Sequence, residues 1–291
     1  MDKLRIKNRR NNTLIIKHWE CEQPKAVLVI AHGAAEHINR YEELALFLNK
    51  HHIDVYGYDH EGHGINKPDD QEYIYVQKEK GYQVLIDDLE DVCDYAYTHS
   101  KRLPLYLLGH SMGSLIARVL LMHTHVSFAG VILSGSMNIP SFLNESGLAL
   151  SRLYKRTQGK EKVSKLLNHL AFGTLHERIS YNKENMIDYI HDPNCGLPFS
   201  NASIHDLLIL SKKAANKKGM KDMQRTNYFF IAGKDDPFSD KTKQLKELIK
   251  EYKKIGLKVD YHFYHRMKHE VLQEDDKLDV YQDILNFINN S

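Results

Sequence analysis

Leu105-Tyr106-Leu107-Leu108-Gly109-His110-Ser111-Met112-Gly113-Ser114-Leu115 is the stretch on which the reading of the fold turns. Leu105–Leu108 reads as a strand buried on both faces, and Leu115–Met122 reads as a helix. Between them stands G-x-S-x-G at a strand-to-helix junction, the pattern of a nucleophile elbow. Small residues two places either side of the serine let the chain reverse without striking the neighbouring strand and helix. The serine then takes a strained backbone conformation and projects its hydroxyl above the sheet. The Met112 amide opens the helix, where it can donate to an oxyanion and gains from the helix dipole. The bare pattern also arises by chance, so its flanking elements and partner residues must carry the reading.

Outward from the elbow the same rhythm repeats. Residues 4–20 read as two short strands, with Asn11-Asn12 as the turn. Ala26–Ala31, Ile53–Tyr58 and Ala129–Leu133 are buried strands, separated by helical patterns over Tyr41–Lys50 and Gly81–Tyr97. This alternation predicts an α/β fold: a mostly parallel central sheet with helices on both faces. Residues 136–223 then read as helices and loops, before strands Tyr228–Ala232 and Val259–Tyr264 and helices Lys243–Tyr252 and Leu278–Ile288 complete the pattern. The expected organisation is a core of residues 1–135 and 224–291, interrupted by a mainly helical cap at 136–223. Within the cap, Ile139, Phe142, Leu143, Leu148, Leu150 and Leu153 are candidates either for packing onto the core or for lining an acyl-chain pocket.

A serine hydroxyl at neutral pH needs a histidine to take its proton and a carboxylate to orient that histidine. Strand Tyr228–Ala232 runs into Gly233-Lys234-Asp235-Asp236-Pro237, so Asp236, held by Pro237, is the favoured acid, with Asp235 in reserve. Strand Val259–Tyr264 leads to His265-Arg266-Met267-Lys268-His269, and His269 is the favoured base, just ahead of Glu270-Val271-Leu272 where a helix can begin. His265, His262 and His123 are the alternatives. A second oxyanion donor is expected from the loop after Ala26–Ala31, His32-Gly33-Ala34-Ala35-Glu36-His37, with the Ala34 amide best placed. The histidines here and in Asp59-His60-Glu61-Gly62-His63-Gly64 lack metal-site spacing, so His32 and His63 read as structural, and no metal or other cofactor is expected.

Composition narrows the class further. A formal net charge of +2 selects neither nucleic acid nor a charged membrane. Cys21, Cys93 and Cys195 form no disulfide framework, and the opening MDKLRIKNRRNNTL has no signal-peptide core. A cytoplasmic protein without stable membrane insertion is expected.

Together, HGAAEHINRY (His32–Tyr41), YDHEGHG (Tyr58–Gly64), GHSMG (Gly109–Gly113), GKDDP (Gly233–Pro237) and KHEVLQE (Lys268–Glu274) resemble the monoacylglycerol lipase and lysophospholipase branch of the α/β-hydrolases, often filed with serine aminopeptidases. The resemblance implies a Ser111–Asp236–His269 triad, an oxyanion hole of the Ala34 and Met112 amides, and a small ester or lipid-like substrate. Asn66 departs from the serine that many relatives carry, with loop packing as the expected consequence. Two other readings stay open. One is an aminopeptidase, which would need acidic cap residues such as Glu145, Glu161, Glu177 or Glu184 to hold a free amine. The other is a ligand-binding protein that keeps the fold without turnover.

Overall fold

Along Ala26–Ala31 the side chains alternate between two apolar layers, Val27, Val29 and Ala31 facing one and Leu28 and Ile30 the other. Every residue of this strand is buried. Each Val, Leu or Ile so placed stabilises the fold by roughly 1.5–3 kcal/mol. A strand of this kind must lie inside a sheet covered on both sides. The computed structural model describes residues 2–291, the side chain of His176 excepted, and this strand is its centre.

The eight-stranded sheet has the order β1-β2-β4-β3-β5-β6-β7-β8. β1 (Asp2–Lys7) and β2 (Thr13–Trp19) form an antiparallel hairpin, and β2 pairs antiparallel with β4 (Ile53–Tyr58). From β4 through β3 (Ala26–Ala31), β5 (Leu105–His110), β6 (Gly130–Ser134), β7 (Asn227–Gly233) and β8 (Lys258–Tyr264) all pairings are parallel. On one face lie α2 (Gly81–His99), α3 (Met112–Leu120) and α10 (Lys243–Lys254); on the other lie α1 (Glu42–Asn49) and α11 (Lys277–Asn290). The α/β class and the mostly parallel sheet are as the sequence predicts.

Six helices stand between β6 and β7: α4 (Ser141–Thr157), α5 (Lys165–Phe172), α6 (Leu175–Ile179), α7 (Lys183–His191), α8 (Asn201–Ala214) and α9 (Lys217–Met220). The buried Arg118 of α3 ties this segment down, donating to the carbonyls of Met137 and Ala214. Leu148 is buried, but Phe142, Leu143 and Leu153 are exposed. Among the described residues no helix is long and apolar enough to cross a membrane.

The helix after the elbow starts at Met112, so Ser111 sits directly on its N-terminus. One local expectation changes. No helix begins at Glu270; the last one starts at Lys277. The intervening acids serve tertiary bonds instead. Glu274 accepts from the amides of Tyr181, Asn182 and Lys268, and Glu270 is taken up by Arg40 and Asn185. Asn66 acts as a loop clamp: its amide nitrogen donates to the carbonyls of Ile15 and Asp59, and its oxygen accepts from the Ile15 amide.

Candidate active site

Ser111 stands at the carboxyl end of β5, with φ 50° and ψ −114°. A non-glycine residue at such angles carries backbone strain, which the surroundings must hold. Its amide donates to the Ser134 carbonyl, and its own carbonyl accepts from the Ser114 amide and hydroxyl. A Cβ on Gly109 would lie 2.6 Å from the Gly113 carbonyl oxygen, and one on Gly113 would collide with the carbonyls of Ala31 and His32. Helix α3 crosses β3 too closely there for any side chain.

The loops after β7 and β8 bring the other two groups. His269 Nε2 lies 2.9 Å from Ser111 Oγ, and His269 Nδ1 lies 3.1 Å from Asp236 Oδ2. With Nδ1–H donating to the carboxylate, Nε2 is left to accept from the serine hydroxyl. The second Asp236 oxygen accepts from the Phe238 amide at 2.8 Å, a turn that Pro237 preorganises. Asp236 and His269 are buried, and Ser111 is 9% exposed. Asp235 does not reach the imidazole; it accepts a long bond from the Tyr181 hydroxyl. His123, His262 and His265 are exposed, His262 paired with Asp283 and His265 with Lys234.

Electrostatics in this corner are set by burial and a few fixed charges. Burial works against charging His269, but the Asp236 carboxylate overrides it, with help from Glu270 and Glu36, and the imidazole is pushed above its ordinary value. His110, its ring centroid 5.0 Å from that of His269, is held neutral by burial and by its imidazole neighbour, down to about 3.

The loop after β3 turns through Ala35, a non-glycine residue at φ 55°. Glu36 Oε1 accepts from the Gly33 amide and from the Tyr41 hydroxyl. The Ala34 and Met112 amides have no acceptor among the described residues, and both residues line the cavity above Ser111. His32 is buried and donates from Nδ1 to the Gly33 carbonyl while Nε2 accepts from the His60 amide, which locks the loop's shape.

That cavity contains about 790 Å³ of unfilled space, its mouth included. Met112, Leu115, Met137 and Phe238 line it from the sheet side. Phe172 of α5, Leu175 and Ile179 of α6, and Ile204, Leu207 and Leu208 of α8 line it from the inserted helices. Of the cap residues singled out in the sequence only Ile139 reaches it. Its carboxylates are Glu36 and Glu270, and none of Glu145, Glu161, Glu177 or Glu184 lines it.

The serine aminopeptidase S33 family profile matches residues 22–276. The chain belongs to this family. This S33 chain is 32% identical over 186 residues to the monoglyceride lipase of Homo sapiens, a match covering 62% of the chain and 56% of that protein. The chain thus spans about half the length of the curated relatives it matches. A structure described as a lipase in its open form superposes with a TM-score of 0.89 at 22% identity, covering 99% of this chain and 98% of that one. A thermostable carboxyl esterase from Bacillus coagulans, in complex with glycerol, gives 0.84 at 21%, covering 99% and 97%. These likenesses establish the α/β-hydrolase fold.

One feature of the S33 site lay outside the sequence reading. Arg40 donates to Glu36, to both oxygens of Glu270 and to Asn185 of α7, with distances of 2.6–2.7 Å. Burial opposes the charge on Glu270, but Arg40 and Asn185 hold that carboxyl down at about 2. The motif Glu36-His37-x-x-Arg40-Tyr41 was visible, but its partner lies 230 residues away.

Proposed function

We propose that this chain hydrolyses carboxylic esters with a lipophilic acyl chain and a small polar alcohol, such as a monoacylglycerol or lysophospholipid. The observation that carries the reading is the continuous Ser111–His269–Asp236 hydrogen-bonded array at the floor of an apolar cavity. The name of the human relative, monoglyceride lipase, supports the lipid-like class.

Ser111 attacks the ester carbonyl while His269 accepts its proton. The oxyanion rests on the Ala34 and Met112 amides, each such donor contributing about 2.7–4 kcal/mol. The imidazolium, stabilised by Asp236, protonates the leaving alcohol, and water then releases the acid by the same steps. This chemistry requires no metal or organic cofactor. Residues 136–223 act as the cap, supplying the apolar wall against the acyl chain. The amine-binding acids that an aminopeptidase needs are not supported: Glu145, Glu161, Glu177 and Glu184 are exposed, while Glu36 and Glu270 are committed to Arg40.

The test is a panel of esters varied in chain length and head group, alongside aminoacyl-anilides. Medium or long acyl esters should turn over faster than acetyl esters and anilides, and Ser111→Ala should lower kcat by about four to six orders of magnitude. Equal turnover of acetyl and longer esters would remove the acyl-pocket reading, and an active Ser111→Ala would remove the nucleophile.

A further inference from the structure

His37, Asp192 and Cys195 converge where the cap meets the loop after β3. One ligating atom from each lies within 4.8 Å of the others. His37 is buried and donates from Nε2 to Asp192 Oδ2 at 2.7 Å. Asp192 ends α7 and starts a tight turn: its Oδ1 accepts from the Asn194 amide, and its carbonyl accepts from the Cys195 amide. The turn thus aims the carboxylate and the thiol at the same imidazole. Cys195 is 8% exposed and lines a second cleft, bounded by Ala35, Tyr189 and Gly196, which gives an entry path from solvent. Neither the triad nor the apolar cavity above Ser111 uses these three groups.

We propose that His37, Asp192 and Cys195 form a Zn²⁺ site that clamps the cap to the loop carrying Ala34. Imidazole, carboxylate and thiolate are the donor types zinc takes, and three protein ligands leave a fourth position for water. A sulfur donor selects against Mg²⁺ and Ca²⁺. Ligand–metal distances of about 2.0–2.3 Å set tetrahedral donors roughly 3.3–3.6 Å apart, so the 2.7 Å His37–Asp192 contact must open by about half an ångström and the thiol, within 4.8 Å, must draw in to match. A part-exposed aspartate beside a surface turn can yield that much. Charge balances at the site: Zn²⁺ with one thiolate and one carboxylate is neutral. The step forms a Zn–S bond and breaks the S–H bond, sending that proton to buffer. The imidazole binds neutral, with its proton on the other ring nitrogen. Burial, with the neighbouring Asp192 carboxylate, pushes the thiol up, so the ion itself must displace the proton.

The consequence follows from what this turn already holds. Gly196 N–H and the Tyr189 hydroxyl both donate to the Ala35 carbonyl, at 2.9 and 2.8 Å. An ion on His37, Asp192 and Cys195 adds a cross-link beside those bonds, tightening the cap over the segment that presents the Ala34 amide.

The experiment is titration of the whole 291-residue Ser111→Ala chain with Zn²⁺, using Mg²⁺ as control, by calorimetry in two buffers of different ionisation enthalpy. Ester turnover plays no part in this readout, so its failure and that of the hydrolase reading are separate. Expected are about one Zn²⁺ per chain, release of about one proton, a thiolate-to-metal ultraviolet band with Co²⁺, and a raised Tm. Cys195→Ser should lose the band and bind Zn²⁺ at least about tenfold more weakly; Asp192→Asn should weaken binding similarly. Absence of Zn²⁺ binding, absence of the Co²⁺ thiolate band on the unsubstituted cysteine, or equal binding by a folded Cys195→Ser chain would overturn the site.

Discussion

Arg40 grips Glu270 through two parallel hydrogen bonds of 2.7 Å, and Glu270 is the residue next to His269. The same guanidinium donates to Glu36, which shapes the loop of Gly33 and Ala34. A single buried cation thus joins the loop carrying the proposed base to the loop carrying the proposed oxyanion donor. Removing it leaves two buried carboxylates without their partner. Arg40→Met is expected to destabilise the fold by about 3–5 kcal/mol, read by urea denaturation. A loss under about 1 kcal/mol would mean that the pair is screened like a surface ion pair.

Asp236 and Asp235 provide a clean internal comparison. Asp236→Asn should lower kcat by about four orders of magnitude, because the imidazole loses the acceptor that fixes its tautomer. Asp235→Asn should leave kcat near normal. The pH profile adds a second readout. As the proposed base, His269 must be neutral to accept the serine proton, and Asp236 pushes its pKa above the usual imidazole value of about 6.5. Activity should therefore fall on the acid side with a midpoint above that value, and the residual activity of Asp236→Asn should show a midpoint at lower pH. An unmoved midpoint would detach the acid limb from this pair.

Gly113 tests the elbow sterically. Its missing Cβ faces the Ala31 and His32 carbonyls, at the end of the central strand and the start of its loop, which cannot move aside. Gly113→Ala should cost about 1–3 kcal/mol of stability and displace Ser111. Fluorophosphonate labelling of the folded variant is expected to slow markedly. Normal labelling with normal stability would contradict the close crossing of α3 over β3.

Buried neutral histidines should make the protein acid-labile. Burial holds His60 at about 3 and His63 at about 4. In the unfolded chain both titrate near 6.5. As pH falls below that value the unfolded state takes up protons that the native state refuses, so stability is lost on the way down to the native pKa values. Each such histidine adds up to about 1.4 kcal/mol per pH unit to the slope. His63→Gln should flatten the dependence of unfolding free energy on pH between about 6.5 and 4 by roughly one proton. An unchanged slope in urea melts across that range would show that His63 charges in the folded state.

The central sheet was legible because its strands carry a local signature: unbroken apolar runs such as Ala26–Ala31 must be covered on both faces, and the glycines around Ser111 admit only a tight reversal. The proposed triad residues Ser111, Asp236 and His269 could be picked out in order because each follows a strand that announces itself. Asp236 was favoured over Asp235 for its place after Gly233 and for Pro237 beside it, and it is Asp236 whose carboxylate lies 3.1 Å from His269 Nδ1. What the chain order did not reveal were the pairings made across long separations. Arg40 with Glu270, and His37 with Asp192, join residues whose neighbours in sequence say nothing of each other. The cap was harder still. Ile139, which lines the cavity, lies in the loop before α4 where no periodicity marks it, whereas Phe142 and Leu153 sit on α4 and face solvent. Local sterics and hydrophobic pattern are written residue by residue, whereas the lining of a cavity and the sharing of a buried charge exist only once distant segments have packed together.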